Sequence, residues 1–358
     1  MGSRRSLVFL VIAALGTGLG LTALAAADDD QVATITRFYG KAEILENPQS
    51  SVGGTEPHAM YEGKYYTVKK AQTGSKLRQG SIIQTGPKTK VRLVYSNGDQ
   101  ISVDALSAYR VDLMQSGKSS KPVIDLLFGK FRAIINKNGP RSGLTVRSRT
   151  MLMGVRGTDF YVAARDVNGA SRISVLRGKV EATATTFKDA RPIVIASGYT
   201  ADIPAVEPPP AAAGGKVPAA AVTPGAVPPP APAIVVTKTN QEELAAIQRA
   251  STIKKAEVES GPASKLEPEV QATLAKLEQQ AIASTLQDIQ ADDPALYEKI
   301  AKDKIQDVDL LQTITVKKVM RTAPAAPLKD PAAKGYVKPS GDELPELKDS
   351  VYDKYFKE

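Results

Sequence analysis

Four aspartates, Asp99, Asp104, Asp125 and Asp159, are the side chains that could do acid–base chemistry, since two carboxylates can divide the roles of general acid and general base. Two have plainer readings. Asp99 follows an Asn-Gly turn and suits turn chemistry, and Asp159 follows Gly157-Thr158 at the start of a strand. The single histidine, His58, ends the stretch Gly53-Gly-Thr-Glu-Pro-His58, so an exposed loop histidine is the better reading than a triad member. The chain has no cysteine, which excludes thiol catalysis, disulfides, iron–sulfur clusters and thiolate zinc sites. There is no G-x-S-x-G elbow and no Walker A loop, and one histidine forbids H-E-x-x-H. Asp28-Asp29-Asp30 reads as an acidic start to a processed chain rather than a metal site. The sequence therefore predicts no catalytic residue, no metal, no cofactor and no enzyme.

Binding chemistry is better represented. Arg141, Arg147, Arg149 and Arg156 cluster in sequence, and Arg147 and Arg149, two apart, share a face if that segment is a strand. Guanidinium forks suit carboxylates and phosphates, so an anionic ligand or an acidic partner is expected there. Strand charges that deter edge pairing are the alternative. The net charge is +9, and the basic excess lies in residues 28–203, while 204–358 are slightly acidic. Such a balance suits an acidic protein, an anionic lipid or an acidic glycan. Nucleic acid is not expected, because the chain carries an export signal and its aromatics are not interleaved with basic residues.

The elements that must position these residues are strands. Residues 32–203 alternate apolar and polar at short spacing. The segments Leu144–Arg149, Phe160–Ala164 and Ile173–Leu176 are typical, and Gly129 and Gly178 separate adjacent runs. Asn97-Gly98 between alternating runs signals a hairpin, since both positions accept positive φ, and residues 46–64 read as an irregular loop. This pattern predicts an all-β roll, sandwich or solenoid. Residues 204–238 form a Pro/Ala-rich linker that favours extended polyproline II. Residues 239–320 read as helical, with Asn240 and Glu243 as a capping box and Asp293-Pro294 as a cap followed by an N1 proline. Leu266, Val270, Leu274, Leu277 and Ala281 fall on one helix face, and Ile282, Leu286 and Ile289 lie further round. Packing in a small bundle competes with a partner-binding helix. Residues 321–358 form a Pro-containing tail. Arg4 and Arg5, the apolar run from Leu7 to Leu15 and Ala25-Ala26-Ala27 form a signal peptide over 1–27, cleaved near Ala27. A periplasmic or secreted protein with no membrane span after cleavage is expected, and an uncleaved N-terminal anchor is the alternative.

The stretch Met153-Gly-Val-Arg-Gly-Thr-Asp-Phe-Tyr-Val162 resembles the turn-and-strand motif of FecR-type domains. Other elements match in order. Leu77 to Gly86 is similar to the family's L-x-x-G-D-x-I-x-T turn, with Ser81 at the usual acidic position. Val91 to Ser107 is similar to its hairpin, with Asn97 at the aspartate position. Leu127-Phe-Gly-Lys130 resembles its strand exit, and Val175-Leu-Arg-Gly-Lys-Val180 its closing strand. The motif positions are Gly80, Thr85, Gly86, Gly98, Gly129, Gly154, Arg156, Gly157, Thr158, Phe160 and Gly178. The resemblance implies a mainly β, roll-like or solenoid-like periplasmic domain that binds other proteins. It does not carry over the family's anti-sigma role, because only about six residues precede the apolar stretch. The expectation is a non-enzymatic envelope protein with an envelope protein as partner, or alternatively a binder of anionic wall or surface glycan.

Overall fold

The structure is a computed structural model that describes residues 31–116, 119–137, 144–164, 169–186, 190–204, 234–253, 266–305 and 307–324. The signal peptide, Arg141, most of the Pro/Ala-rich linker and most of the tail lie outside the described residues.

In chain order the first strands are β1 (Gln31–Tyr39), β2 (Ala42–Gln49), β3 (His58–Tyr61), β4 (Lys64–Lys70), β5 (Lys76–Arg78) and β6 (Ile82–Thr85). There follow β7 (Lys90–Tyr95), β8 (Gln100–Val103), β9 (Ala108–Ser116), β10 (Ser119–Ile135), β11 (Leu144–Arg147) and β12 (Met151–Val155). The last are β13 (Thr158–Ala164), β14 (Ser171–Arg177), β15 (Lys179–Ala184), β16 (Ile193–Ala196), β17 (Tyr199–Ile203) and β18 (Val235–Lys238). They make one hydrogen-bonded network, which the long strand β10 folds into two layers. Sheet A has the order β5–β1–β7–β8–β10–β13–β14–β17–β18. Sheet B has the order β3–β4–β2–β6–β9–β10–β11–β12–β15–β16. Among the described strands only β10–β11 is parallel. Side chains of both sheets, among them Ile35, Leu93, Phe131 and Phe160 from A and Ile44, Ile124, Met153 and Val180 from B, fill a single core between the layers. Phe160 meets the Phe131 ring edge-on at 6.1 Å.

The chain changes layer repeatedly, and the family motifs mark those corners. Val155 ends β12 in sheet B, Arg156-Gly157 turns, and Thr158 opens β13 in sheet A. Gly157 has φ +61 and packs so closely that an added Cβ would lie 3.1 Å from the Lys137 Cα. Gly178 makes the next crossing, from β14 to β15, directly against the Gly157 carbonyl. Thr158 ties the two corners by donating its hydroxyl toward the Arg156 and Lys179 carbonyls, at 3.0 Å each. Gly80, Gly86 and Gly129 lie at three other crossings. Thr85 closes β6, where its hydroxyl donates to the Asp104 carbonyl and accepts from the Ser107 amide.

Two local expectations are corrected, and the expected Asn97-Gly98 hairpin is defined in detail. Gly129 does not separate two strands: β10 runs through it and passes from sheet B to sheet A. At the β7–β8 hairpin only Gly98 takes positive φ. Gly98 donates to the Tyr95 carbonyl and Tyr95 to that of Asp99, so the loop is a three-residue turn whose last position alone is left-handed. Residues 46–64 are not wholly irregular, since β3 and β4 form a hairpin on the edge of sheet B and half-buried His58 opens β3. Tyr65 and Tyr66 pair with Met60 and Ala59 there, and the glycines and prolines before His58 had masked so short a strand.

Among the described residues four helices follow: α1 (Gln241–Ser251), α2 (Pro268–Asp292), α3 (Pro294–Lys302) and α4 (Val308–Met320). The Asn240 side chain accepts from the Glu243 amide, and Asp293 caps α3 through the Leu296 amide. The helices form a layer on the outer face of sheet A, and strands and helices belong to one compact unit. None of these helices is long and apolar enough to cross a membrane.

Candidate functional site

The central strands of sheet A are covered on both faces, and their burial shows it. In β15 of sheet B, buried and exposed residues alternate, as expected when one face meets water. In β7, by contrast, every residue from Val91 to Tyr95 is buried. Val91 and Leu93 face the inter-sheet core, while Arg92 and Val94 face the helices.

Across that outer face the strand register aligns one row. Arg37 pairs with Arg92, Arg92 with Ser102, Ser102 with Arg132, Arg132 with Tyr161, Tyr161 with Ser174, and Ser174 with Thr200. Helix α4 follows this row. Asp309 takes hydrogen bonds from both Arg37 and Arg92. One turn on, the Gln312 carbonyl accepts from Arg132 at 3.1 Å. Val316 and Val319 then pack on Leu176 and Tyr161. Helix α2 contributes Glu278 to Arg37 at 2.8 Å, and Asp288 and Asp292 to Arg177 at 3.2 Å each. Helix α1 contributes Ser251 to Arg132 and Glu243 to Ser174 and Thr200. Arg132 also forms a two-pronged pair with Asp159, at 2.8 and 2.7 Å, with both side chains almost fully buried. Arg37 stays firmly charged: burial opposes its charge, but Glu278, Asp309 and Asp307 together more than offset that.

Burial, reinforced by the Asp104 and Glu243 carboxylates, pushes the Tyr161 hydroxyl far above its ordinary value near 10. An unfolded tyrosine ionises before Tyr161 does, so the stability it supports is intact below about pH 10 and falls as pH rises above that, by up to about 1.4 kcal/mol per unit. Urea midpoints compared at about pH 9 and about pH 11 should fall less for Tyr161→Phe than for the parent. An equal fall would remove Tyr161 as the cause.

The four aspartates are held apart in structural roles. Asp99 accepts from the Asn97 side chain and the Asn136 amide. Asp104 accepts from the Ala105 amide and faces Lys130. Asp125 holds Arg110 and Arg147, and Asp159 holds Arg132. An open hollow of about 620 Å³, lined by Phe38, Lys41, Glu43, Lys70 and Gln84, contains none of the four.

The arginines singled out from sequence do not form one compact face. Strand β11 ends at Arg147, so Arg149 lies in the link to β12 rather than on the same strand face. Arg147 sits opposite Asp125 in register and forks onto it at 2.7 and 2.9 Å. Arg156 lies at the far end of the hairpin, about 13 Å along the strand at ~3.3 Å per residue. All three are exposed. Arg147→Ala is expected to cost no more than about 1 kcal/mol, because the pair is half-exposed and Asp125 keeps Arg110. A thermal melt reads this directly.

Sequence reasoning missed Arg37, Arg92, Arg132 and Arg177. A signal was present in the strands themselves. Arg92 and Arg132 interrupt runs that are otherwise apolar on both faces, Val91–Val94 and Phe131–Ile135, which marks strands buried on both sides.

No curated protein sequence matches the chain. Two crystal structures, at 1.65 and 2.50 Å, of a protein from Parabacteroides distasonis provisionally described as an anti-sigma factor are similar in part. Each is 16% identical, with a TM-score of 0.29 over 34% of this chain and 54% of that one. The chain thus spans about half the length of those proteins. The family model described as FecR protein matches residues 81–181, which run from Ser81 before β6 to Glu181 in β15 and include the Gly129, Gly157 and Gly178 crossings. The β-roll of this chain is built around a FecR domain.

Proposed function

We propose that the chain is a non-enzymatic, exported cell-envelope protein whose FecR domain binds another envelope protein in a signalling or scaffolding role. The carrying observation is that sheet A accepts helices along a row of arginines, an arrangement for holding protein segments rather than for turning over a substrate. The engagement of all four aspartates in ion pairs, caps and turns fits the same reading. In this reading residues 1–27 direct export, with cleavage near Ala27, and 28–203 form the binding domain. The Pro/Ala-rich residues 204–238 act as a linker, 239–320 supply the helices, and 321–358 are a tail. Crosslinking in living cells of the native organism, followed by purification of the mature protein and mass spectrometry, tests the reading. A defined envelope protein that is lost when 28–203 are deleted is the expected result. Recovery of no protein partner would overturn it.

A second reading has its own observation: Arg147, at the end of β11, and Arg149 and Arg156, in the connections flanking β12, are all exposed. They would serve a binder of anionic wall or surface glycan. Such binding should be abolished at about 0.5 M salt, where charges are screened within a few ångströms. Wall binding that survives that salt would exclude the electrostatic version.

A further inference from the structure

The helical layer is joined to sheet A by charge more than by apolar contact. Its larger apolar cluster is drawn from the helices, Ala281, Ile289, Ile300, Leu311 and Ile314 among them, and sheet A adds Val94. In the smaller cluster Leu244, Ile247, Val316 and Val319 come from helices, and Leu176 and Tyr161 from the sheet. The helices therefore pack largely on one another. The seam beneath them is polar, with Arg37, Arg92 and Arg177 set against Glu278, Asp309, Asp288 and Asp292, and Arg132 donating to the Gln312 carbonyl and the Ser251 hydroxyl.

That seam is also incompletely satisfied. Arg92 is fully buried, and its Nε and Nη1 find no hydrogen-bond partner among the described residues. The same holds for Ser102 Oγ, the next position in the row, and for Thr36 Oγ1. A buried guanidinium with unused N–H groups is costly. Helix α4 brings Asp309 to Arg37 and Arg92, but offers Arg132 only a backbone carbonyl. Arg132 already has its counter-charge in Asp159, so the unmet groups of the row are those of Arg92 and Ser102. A helix that set a second carboxylate over Arg92 would complement the row better than α4 does.

We propose that the α1–α4 layer is an exchangeable cap, and that the arginine row beneath it is the docking surface for an acidic amphipathic helix of a protein partner, which displaces α4. This rests on the reading of the chain as a protein-binding module, and it adds where the partner binds and what that partner looks like. The cap then holds the surface closed until such a helix is present.

The chain has no cysteine, so single introduced thiols report on opening of the full mature protein. Ser102→Cys lies under the cap, and Ala133→Cys lies in the core between the sheets. In native buffer a small thiol reagent should label position 102 at least about 100-fold faster than position 133, because the cap opens without the roll unfolding. Adding Asp309→Asn should speed labelling at 102 at least about tenfold and leave 133 unchanged. A synthetic peptide of residues 307–322, used as the probe because it presents the Asp309 that α4 sets against the row, should then slow labelling at 102 again by covering the row. Equal rates at 102 and 133 would overturn the proposal, because cap and roll would open together. Failure of the peptide to protect position 102 would overturn the docking surface. A labelling rate that falls as the protein's own concentration rises would replace the partner helix by a second copy of this chain. These outcomes are separate from the crosslinking result, which reports a partner bound at any face.

Discussion

Asp159→Asn is expected to destabilise the protein by roughly 3–5 kcal/mol, because it leaves the Arg132 guanidinium buried without a counter-charge. Arg132 and Asp159 are among the most buried side chains of the molecule, at 1% and 2% exposure. They meet through two parallel hydrogen bonds, and the remaining Arg132 donors go to Ser251 and the Gln312 carbonyl. Asparagine keeps the shape and removes the charge, so the cost measures compensation rather than packing. For a unit of this size the melting temperature should fall by about 10 °C. Replacing both partners, Arg132→Met with Asp159→Leu, should cost less than the worse single change, since an apolar pair needs no counter-charge. A double-mutant cycle by chemical denaturation reads the coupling directly. If the double variant cost as much as the two singles added together, the pair would not be the source of the effect.

Gly129→Ala should be at least as damaging, with a loss of about 3 kcal/mol or more, or no soluble protein, against Gly154→Ala as the control. Gly129 has φ +92, where an L side chain is strained, and an added Cβ would sit 2.4 Å from the Ser107 Cα. Ser107 is fully buried and its hydroxyl accepts from the Lys130 amide, so it has nowhere to move. This is the point at which β10 leaves sheet B for sheet A, and a shift there misaligns both layers. Gly154 belongs to the most specific family motif, yet it has ordinary φ and no atom within 4 Å of an added Cβ. Its replacement by alanine should change stability by less than about 0.5 kcal/mol. Soluble yield and urea midpoints for the two variants suffice. Comparable losses at the two positions would break the link between the motif glycines and the crossing geometry.

Much of the β-roll was legible because its signals are local. Alternating runs, glycine corners and the Met153–Val162 motif each depend on residues close in sequence, and FecR-type organisation followed from their order. The caps at Asn240 and Asp293 were legible for the same reason, since a cap is a contact across three residues. The arginine prediction was less successful. Nearness in sequence put Arg147, Arg149 and Arg156 together, but the hairpin between β11 and β12 spreads them and Asp125 takes up Arg147. The arginines that do line up, Arg37, Arg92 and Arg132, are separated by tens of residues, and only strand register makes them neighbours.

By itself the sequence determined the class of the roll, the places where the chain turns, and the exclusion of thiol chemistry, because composition, period and turn preference act within a few residues. Only the tertiary structure decided which face of which sheet is covered, which arginines share a row, and which carboxylate answers each one. Those depend on pairing between strands and helices up to 272 residues apart, as for Arg37 and Asp309. A buried charge is stable only where such a distant partner is brought within hydrogen-bond reach, and no local pattern encodes that distance.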